Sequence, residues 1–181
     1  MEKHVLFIQG GGEGAYAEDQ LLADSLAEAL GPDYRVHYPV MPDEDMPDDV
    51  EWRRRMSEAI AELPDNAILV GHSLGGTLLM KLLAETALAK PVAGIFLVSA
   101  PFGGADENWQ YDDLTLAEDF ASKLPKAPVF LYQTRDDAIT PFAHLAAYTA
   151  KLPNATARAL ATGGHQLGND LSIVAADIKT L

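Results

Sequence analysis

The sequence predicts an α/β fold: one domain over residues 1–181, with a mostly parallel six-stranded sheet flanked by helices. Three observations predict it. Short β-type apolar runs alternate with amphipathic helical patterns along the chain, as βα units do around a parallel sheet. An apolar run, Ala67-Ile68-Leu69-Val70, leads straight into Gly71-His72-Ser73-Leu74-Gly75, and a helical pattern follows. Finally, 181 residues, of which 48% are hydrophobic, suffice for one substantial core, and no linker, repeat or low-complexity tract divides the chain.

The elements follow in order. Val5-Leu6-Phe7-Ile8 reads as the first strand. After a glycine cluster, Leu22, Leu26 and Leu30 recur at helical spacing with Leu21 beside them, and Gly31-Pro32 ends that helix. A second strand is predicted over 34–38. Residues 39–47, proline-rich and acidic, form a loop before a helix over 49–63. The strand at 67–70 and the helix bearing Leu78, Leu79, Leu82 and Leu83 flank the Gly-His-Ser turn. Gly94-Ile95-Phe96-Leu97-Val98 reads as a fully buried strand, stopped by Pro101-Phe102-Gly103-Gly104. A strand at 129–132, a helix at 142–151, a weaker strand at 156–160 and a last helix from about Asp170 complete the series.

Charge and composition exclude several functions. A net charge of −14 spread along the chain disfavours binding to a nucleic-acid backbone or an anionic membrane. The absence of cysteine removes disulfides and thiolate metal sites. The apolar stretch after Met1-Glu2-Lys3-His4 is too brief for a signal-peptide core, and no run could span a bilayer, so a cytoplasmic protein is expected. His4, His37, His72, His144 and His165 show neither H-x-H nor H-E-x-x-H spacing, so no metal is expected. Gly10, Gly12 and Ala15 fit a dinucleotide-type glycine pattern, but Tyr38-Pro39 stands where a ribose-binding acid belongs. Gly71 to Thr77 lacks the lysine of a phosphate-binding loop.

In an open α/β sheet the site lies beyond the carboxyl ends of the strands. Three loops there carry residues suited to one reaction. Gly71-His72-Ser73-Leu74-Gly75 would hold Ser73 in a strained, exposed pose at a helix N-terminus, because larger side chains at 71 and 75 would crowd the backbone. Gln133 to Pro141 supplies a carboxylate, Asp136 or Asp137, and Gly163-Gly164-His165 supplies an imidazole. A serine hydroxyl needs a base to take its proton during attack, a neutral histidine can be that base, and a buried aspartate orients the histidine. Serine, aspartate and histidine stand in the chain order of an α/β-hydrolase.

On Gln9-Gly10-Gly11-Gly12, Gly71-His72-Ser73-Leu74-Gly75-Gly76, Asp136-Asp137-Ala138-Ile139-Thr140-Pro141 and Gly164-His165, the whole chain resembles the small, lidless α/β-hydrolases. Within them it is most similar to the compact serine hydrolases related to retinoblastoma-binding protein 9 and its bacterial relatives. The resemblance implies the sheet order 2-1-3-4-5-6. It also selects Asp137, four residues before Pro141, as the acid beside Ser73 and His165. The oxyanion hole would combine the amides of Leu74 and Gly11. Where the family's first loop usually reads His-Gly or Pro-Gly, this chain has Gln9.

The expected activity is hydrolysis of a small carboxylic ester through an acyl-enzyme on Ser73, without cofactor. Thioesterase or amidase chemistry would use the same residues. A protein-binding member of the fold is the reading from another class. His72, just before the nucleophile, reads as a structural or pocket residue. Phe102, Trp109 and Tyr111, in the irregular stretch after the fourth strand, read either as a substrate wall or as aromatics tucked against a helix.

Overall fold

The computed structural model describes residues 2–181. Its strands are β1 (Lys3–Ile8), β2 (Tyr34–His37), β3 (Ala67–His72), β4 (Val92–Val98), β5 (Val129–Thr134) and β6 (Thr156–Leu160). They form one sheet in the order β2-β1-β3-β4-β5-β6, and every neighbouring pair is parallel. The order is the expected one, and the sheet is wholly rather than mostly parallel. The helices are α1 (Ala15–Leu30), α2 (Asp49–Glu62), α3 (Ser73–Glu85), α4 (Phe120–Lys123), α5 (Ala143–Lys151) and α6 (Ser172–Ile178).

The two-residue period of the strands sorts their side chains into two cores. Val5 and Phe7, Ile68 and Val70, and Phe96 and Val98 pack with Leu22 and Leu26 of α1 and with Val174 and Ile178 of α6. Leu6 and Ile8, Leu69, and Ile95 and Leu97 pack on the other face with Trp52 and Met56 of α2 and Leu78 and Leu82 of α3. Burial on both faces is why these strands read as unbroken apolar runs. Each fully buried leucine or phenylalanine contributes about 1.5–3 kcal/mol. β2 and β6, at the two edges, are only partly covered, which explains their weaker sequence signal.

Element ends carry the differences from the sequence reading. β1, β3 and β5 extend through polar residues, Lys3 and His4, His72, and Gln133 and Thr134, that still belong to the ladder. α4 and the 3₁₀ turns at Glu107–Trp109, Asp112–Leu114 and Leu167–Asn169 are too short to show a period in sequence. Neither Asp137 nor Thr140 caps the helix after Pro141. α5 has Phe142 at its N-cap without a side-chain bond, and Asp137 Oδ1 instead accepts the amides of Ile139 and Thr140, both at 2.8 Å. Among the described residues, no helix is long and apolar enough to cross a membrane.

Candidate active site

β3 delivers Ser73 to the carboxyl edge of the sheet, where α3 begins with Ser73 itself at φ 50°. An L-residue in this left-handed region is strained and persists only where its surroundings hold it. Two glycines provide that hold. A Cβ on Gly71 would come within 2.6 Å of Gly76 Cα, and one on Gly75 would overlap the Gln9 carbonyl oxygen. α3 can therefore press against β3 and the first loop only with hydrogen atoms at these two positions.

His165 Nε2 lies 2.8 Å from Ser73 Oγ, and His165 Nδ1 lies 2.9 Å from Asp137 Oδ2. The carboxylate can only accept, so Nδ1 carries a proton, and in the neutral ring Nε2 accepts from the serine hydroxyl. The Asp137 side chain is inaccessible to solvent, whereas that of His165 is 16% exposed. Gln133 Nε2 donates to Asp137 Oδ2 at 2.8 Å and to the Thr140 carbonyl at 2.9 Å, so the turn and the carboxylate are fixed together. Burial alone would raise the Asp137 carboxyl. The His165 ring and the Thr140 and Ile139 amides outweigh burial and hold it below its ordinary value. Asp136 instead accepts the amides of Gly163 at 3.2 Å and Gly164 at 2.9 Å, bracing the turn that presents His165.

The first loop is tied down at almost every amide. Gly10 donates to Asp19 Oδ2 at 2.7 Å, Gly12 to the Glu44 carbonyl at 2.6 Å, and Gly14 and Tyr16 to the Glu44 carboxylate at 3.1 and 2.6 Å. Gln9, fully buried, accepts from the Met41 amide at 3.0 Å and donates to Glu44 Oε2 at 2.9 Å. The glutamine thus links the loop to residues 41–44. Among the described residues, the Gly11 and Leu74 amides have no hydrogen-bond partner. The two residues adjoin: a Cβ on Gly11 would come within 2.6 Å of Leu74 Cδ2.

A family model described as serine hydrolase matches residues 23–170. The chain belongs to the serine hydrolase family. Solved structures similar to this serine hydrolase include the ydeN gene product from B. subtilis, at 23% identity over 98% of this chain and 97% of that one, TM-score 0.72. A thioesterase domain from the curacin biosynthetic pathway matches at 15% identity over 99% and 92%, TM-score 0.71. The esterase domain of a Rhodothermus marinus protein matches at 20% identity over 97% and 82%, TM-score 0.68. At these identities the likeness is one of fold. A search of curated proteins finds no match.

The aromatics singled out in sequence do not gather at one wall of this serine hydrolase. Phe102 packs edge-on against Tyr148, ring centroids 4.9 Å apart, and against Phe120. Trp109 reaches across to the acid loop, with Nε1 donating to the Ile139 carbonyl at 3.4 Å, while Tyr111 is exposed. His144, fully buried, fastens the stretch between them. Its Nδ1 accepts the Phe102 amide at 2.8 Å, and Nε2 donates to Asp106 at 2.7 Å.

Sequence reasoning missed Asp19, Gln133, Glu44 and Gln166. Asp19 had a signal: it is a charge within the apolar stripe Ala15, Leu22, Ala23, Leu26 and Leu30 of α1. It is 1% exposed and lies 2.7 Å from Nδ1 of the equally buried His72.

Proposed function

We propose that this serine hydrolase cleaves a small carboxylic ester through an acyl-enzyme on Ser73. The observation that carries the reading is the hydrogen-bonded chain Ser73–His165–Asp137 at the carboxyl edge of the sheet. Ser73 Oγ attacks the acyl carbon while His165 Nε2 takes its proton, and Asp137 stabilises the imidazolium that forms. The developing oxyanion accepts from the free amides of Gly11 and Leu74, where each donor is worth about 3 kcal/mol in the transition state. As the tetrahedral intermediate collapses, the ester C–O bond breaks and the alcohol leaves with the proton from Nε2. Water then attacks the acyl-enzyme, His165 accepts its proton, and collapse releases the carboxylic acid and returns the proton to Ser73. Trp109, bridged to Ile139 near the acid, supplies one side of the acyl site. No step needs a cofactor, and a thioester or amide would pass through the same three residues.

Labelling with a fluorophosphonate probe, followed by mass-spectrometric mapping, tests the reading. Stoichiometric modification of Ser73, absent in Ser73→Ala, is expected, and esters of increasing acyl length then define the preference. Folded wild-type protein that takes up no probe overturns it.

A further inference from the structure

We propose that the buried Asp19–His72 pair is a positioning element of the catalytic centre, tying the oxyanion loop and the His165 turn to the nucleophile elbow. The proposal rests on the reading of Ser73 as nucleophile. Two side chains make four ties. Asp19 Oδ2 accepts the Gly10 amide, next to Gly11, and meets His72 Nδ1, both at 2.7 Å. Asp19 Oδ1 accepts from Gln166 Nε2 at 3.0 Å. His72 Nε2 meets the carbonyl of His165 at 3.0 Å. His72 itself directly precedes Ser73. The pair therefore grips the chain just before the oxyanion amide, just before the nucleophile, and at His165 and the residue that follows it.

The proton state follows from the partners. A carbonyl can only accept, so Nε2 of His72 donates. The Gly10 and Gln166 amides both donate to Asp19 and favour its ionised form, which places the proton between Oδ2 and Nδ1 on the ring, so that Nδ1 donates as well. His72 is thus an imidazolium. Burial disfavours both charges, but their mutual hydrogen bond and attraction prevail, holding the Asp19 carboxyl below and the His72 ring above its ordinary value. The charged or titratable groups that face the ring are Asp19 from α1, Asp137 from the loop after β5, and His165. Beside an ionised Asp19, a neutral ring would have to give up one tie, either to α1 or to the His165 turn. Buried ion pairs are poor stabilisers compared with apolar packing of the same volume, so stability alone does not account for one here. Its three outward ends, at Gly10, His165 and Gln166 on segments that meet at Ser73, do.

The test compares wild type, Asp19→Asn, His72→Gln and Gln166→Ala in hydrolysis of a p-nitrophenyl ester and in the rate of fluorophosphonate labelling. Near-UV circular dichroism reports the fold. Asp19→Asn and His72→Gln are expected to lower kcat by about 10- to 100-fold while KM stays within about twofold, because a shift of the order of an ångström at reacting groups costs that much. Nitrogen-15 NMR of the wild type at neutral pH is expected to show both His72 nitrogens protonated, and one in Asp19→Asn. A folded Asp19→Asn with wild-type kcat and labelling rate overturns the proposal, as does a singly protonated His72 in the wild type. If both charge variants lose the fold, Gln166→Ala decides, since it removes one tie and strands no charge. A fall in its kcat at constant KM supports the proposal, and an unchanged kcat overturns it. Failure of the wild type to label removes the nucleophile reading and the proposal with it, whereas a labelled wild type beside an unimpaired Asp19→Asn removes the proposal alone.

Discussion

His165 and His72 have ring centroids 4.9 Å apart, and each ring lies against a carboxylate, Asp137 at 2.9 Å and Asp19 at 2.7 Å. By residue type and distance they are near twins. The difference is what the second ring nitrogen meets. For His165 it is a serine hydroxyl, which can donate, so the second nitrogen has a partner whose proton it can accept. For His72 it is a carbonyl, which cannot, so the ring is already full. His144 and Asp106 add a third case, in which the second nitrogen accepts the Phe102 amide and the neutral ring is committed to a structural bond. A histidine–carboxylate pair is therefore no mark of catalysis until the far side of the ring has been read.

The largest effect expected from breaking this contrast is in turnover. Ser73→Ala or His165→Ala should lower kcat by about 10⁴- to 10⁶-fold with the fold retained. His72→Ala should lower it far less in the protein that remains folded. The reverse order in steady-state assays would exchange the roles of the two rings. Next comes the carboxylate: Asp137→Asn should cost about 10⁴-fold in kcat, as loss of the orienting acid does in other triads. Asp136→Asn, which loosens only the Gly163-Gly164 turn, should leave most of the activity, and an equal loss from both would put the acid in dispute.

Stability should show the opposite ranking. His72→Ala leaves the Asp19 carboxylate buried and unpaired and should cost about 3–5 kcal/mol in urea unfolding. His165, partly exposed, should cost about 1 kcal/mol or less on truncation. Equal costs would mean that Asp19 finds other compensation. The smallest effect is in pH dependence. Asp19 titrates below its ordinary 3.8 in the folded protein, so its contribution is present above 3.8 and lost as the pH falls through the lowered value. His72 titrates above its ordinary 6.5, so its contribution is complete below 6.5 and lost as the pH rises through the raised value. Raising the pH from about 6 to about 9.5 should therefore lower the wild-type Tm, by about 2–4 °C for each kcal/mol lost. His72→Gln should lose less over the same range, and a parallel decline in both would assign the alkaline loss to other groups.

The chain's legibility follows the same division. Strands covered on both faces announce themselves as apolar runs, and the parallel sheet follows from them. Ser73, Asp137 and His165 stand out because each follows shortly after a strand, where glycines or turn residues frame it. Asp19 did not stand out, because its partners Gly10, His72 and Gln166 come from three distant segments and no local spacing joins them. Gln9 looked like a departure from the family's first loop because its role depends on Glu44 and Met41, more than thirty residues on. Phe102, Trp109 and Tyr111 show the other limit. Sequence places them in one loop, but packing sends Phe102 toward Tyr148, Trp109 toward Ile139 and Tyr111 into solvent.

Ser73 and His165 are 92 positions apart, and Asp19 and Gln166 are 147 apart. Ribosomes add about 5–20 residues per second, so some 5 to 18 s pass between the synthesis of the serine and that of the ring that would activate it. Throughout that interval the serine exists without the ring proposed as its base. On the proposed reading, the growing chain cannot turn over an ester until its own last turns dock.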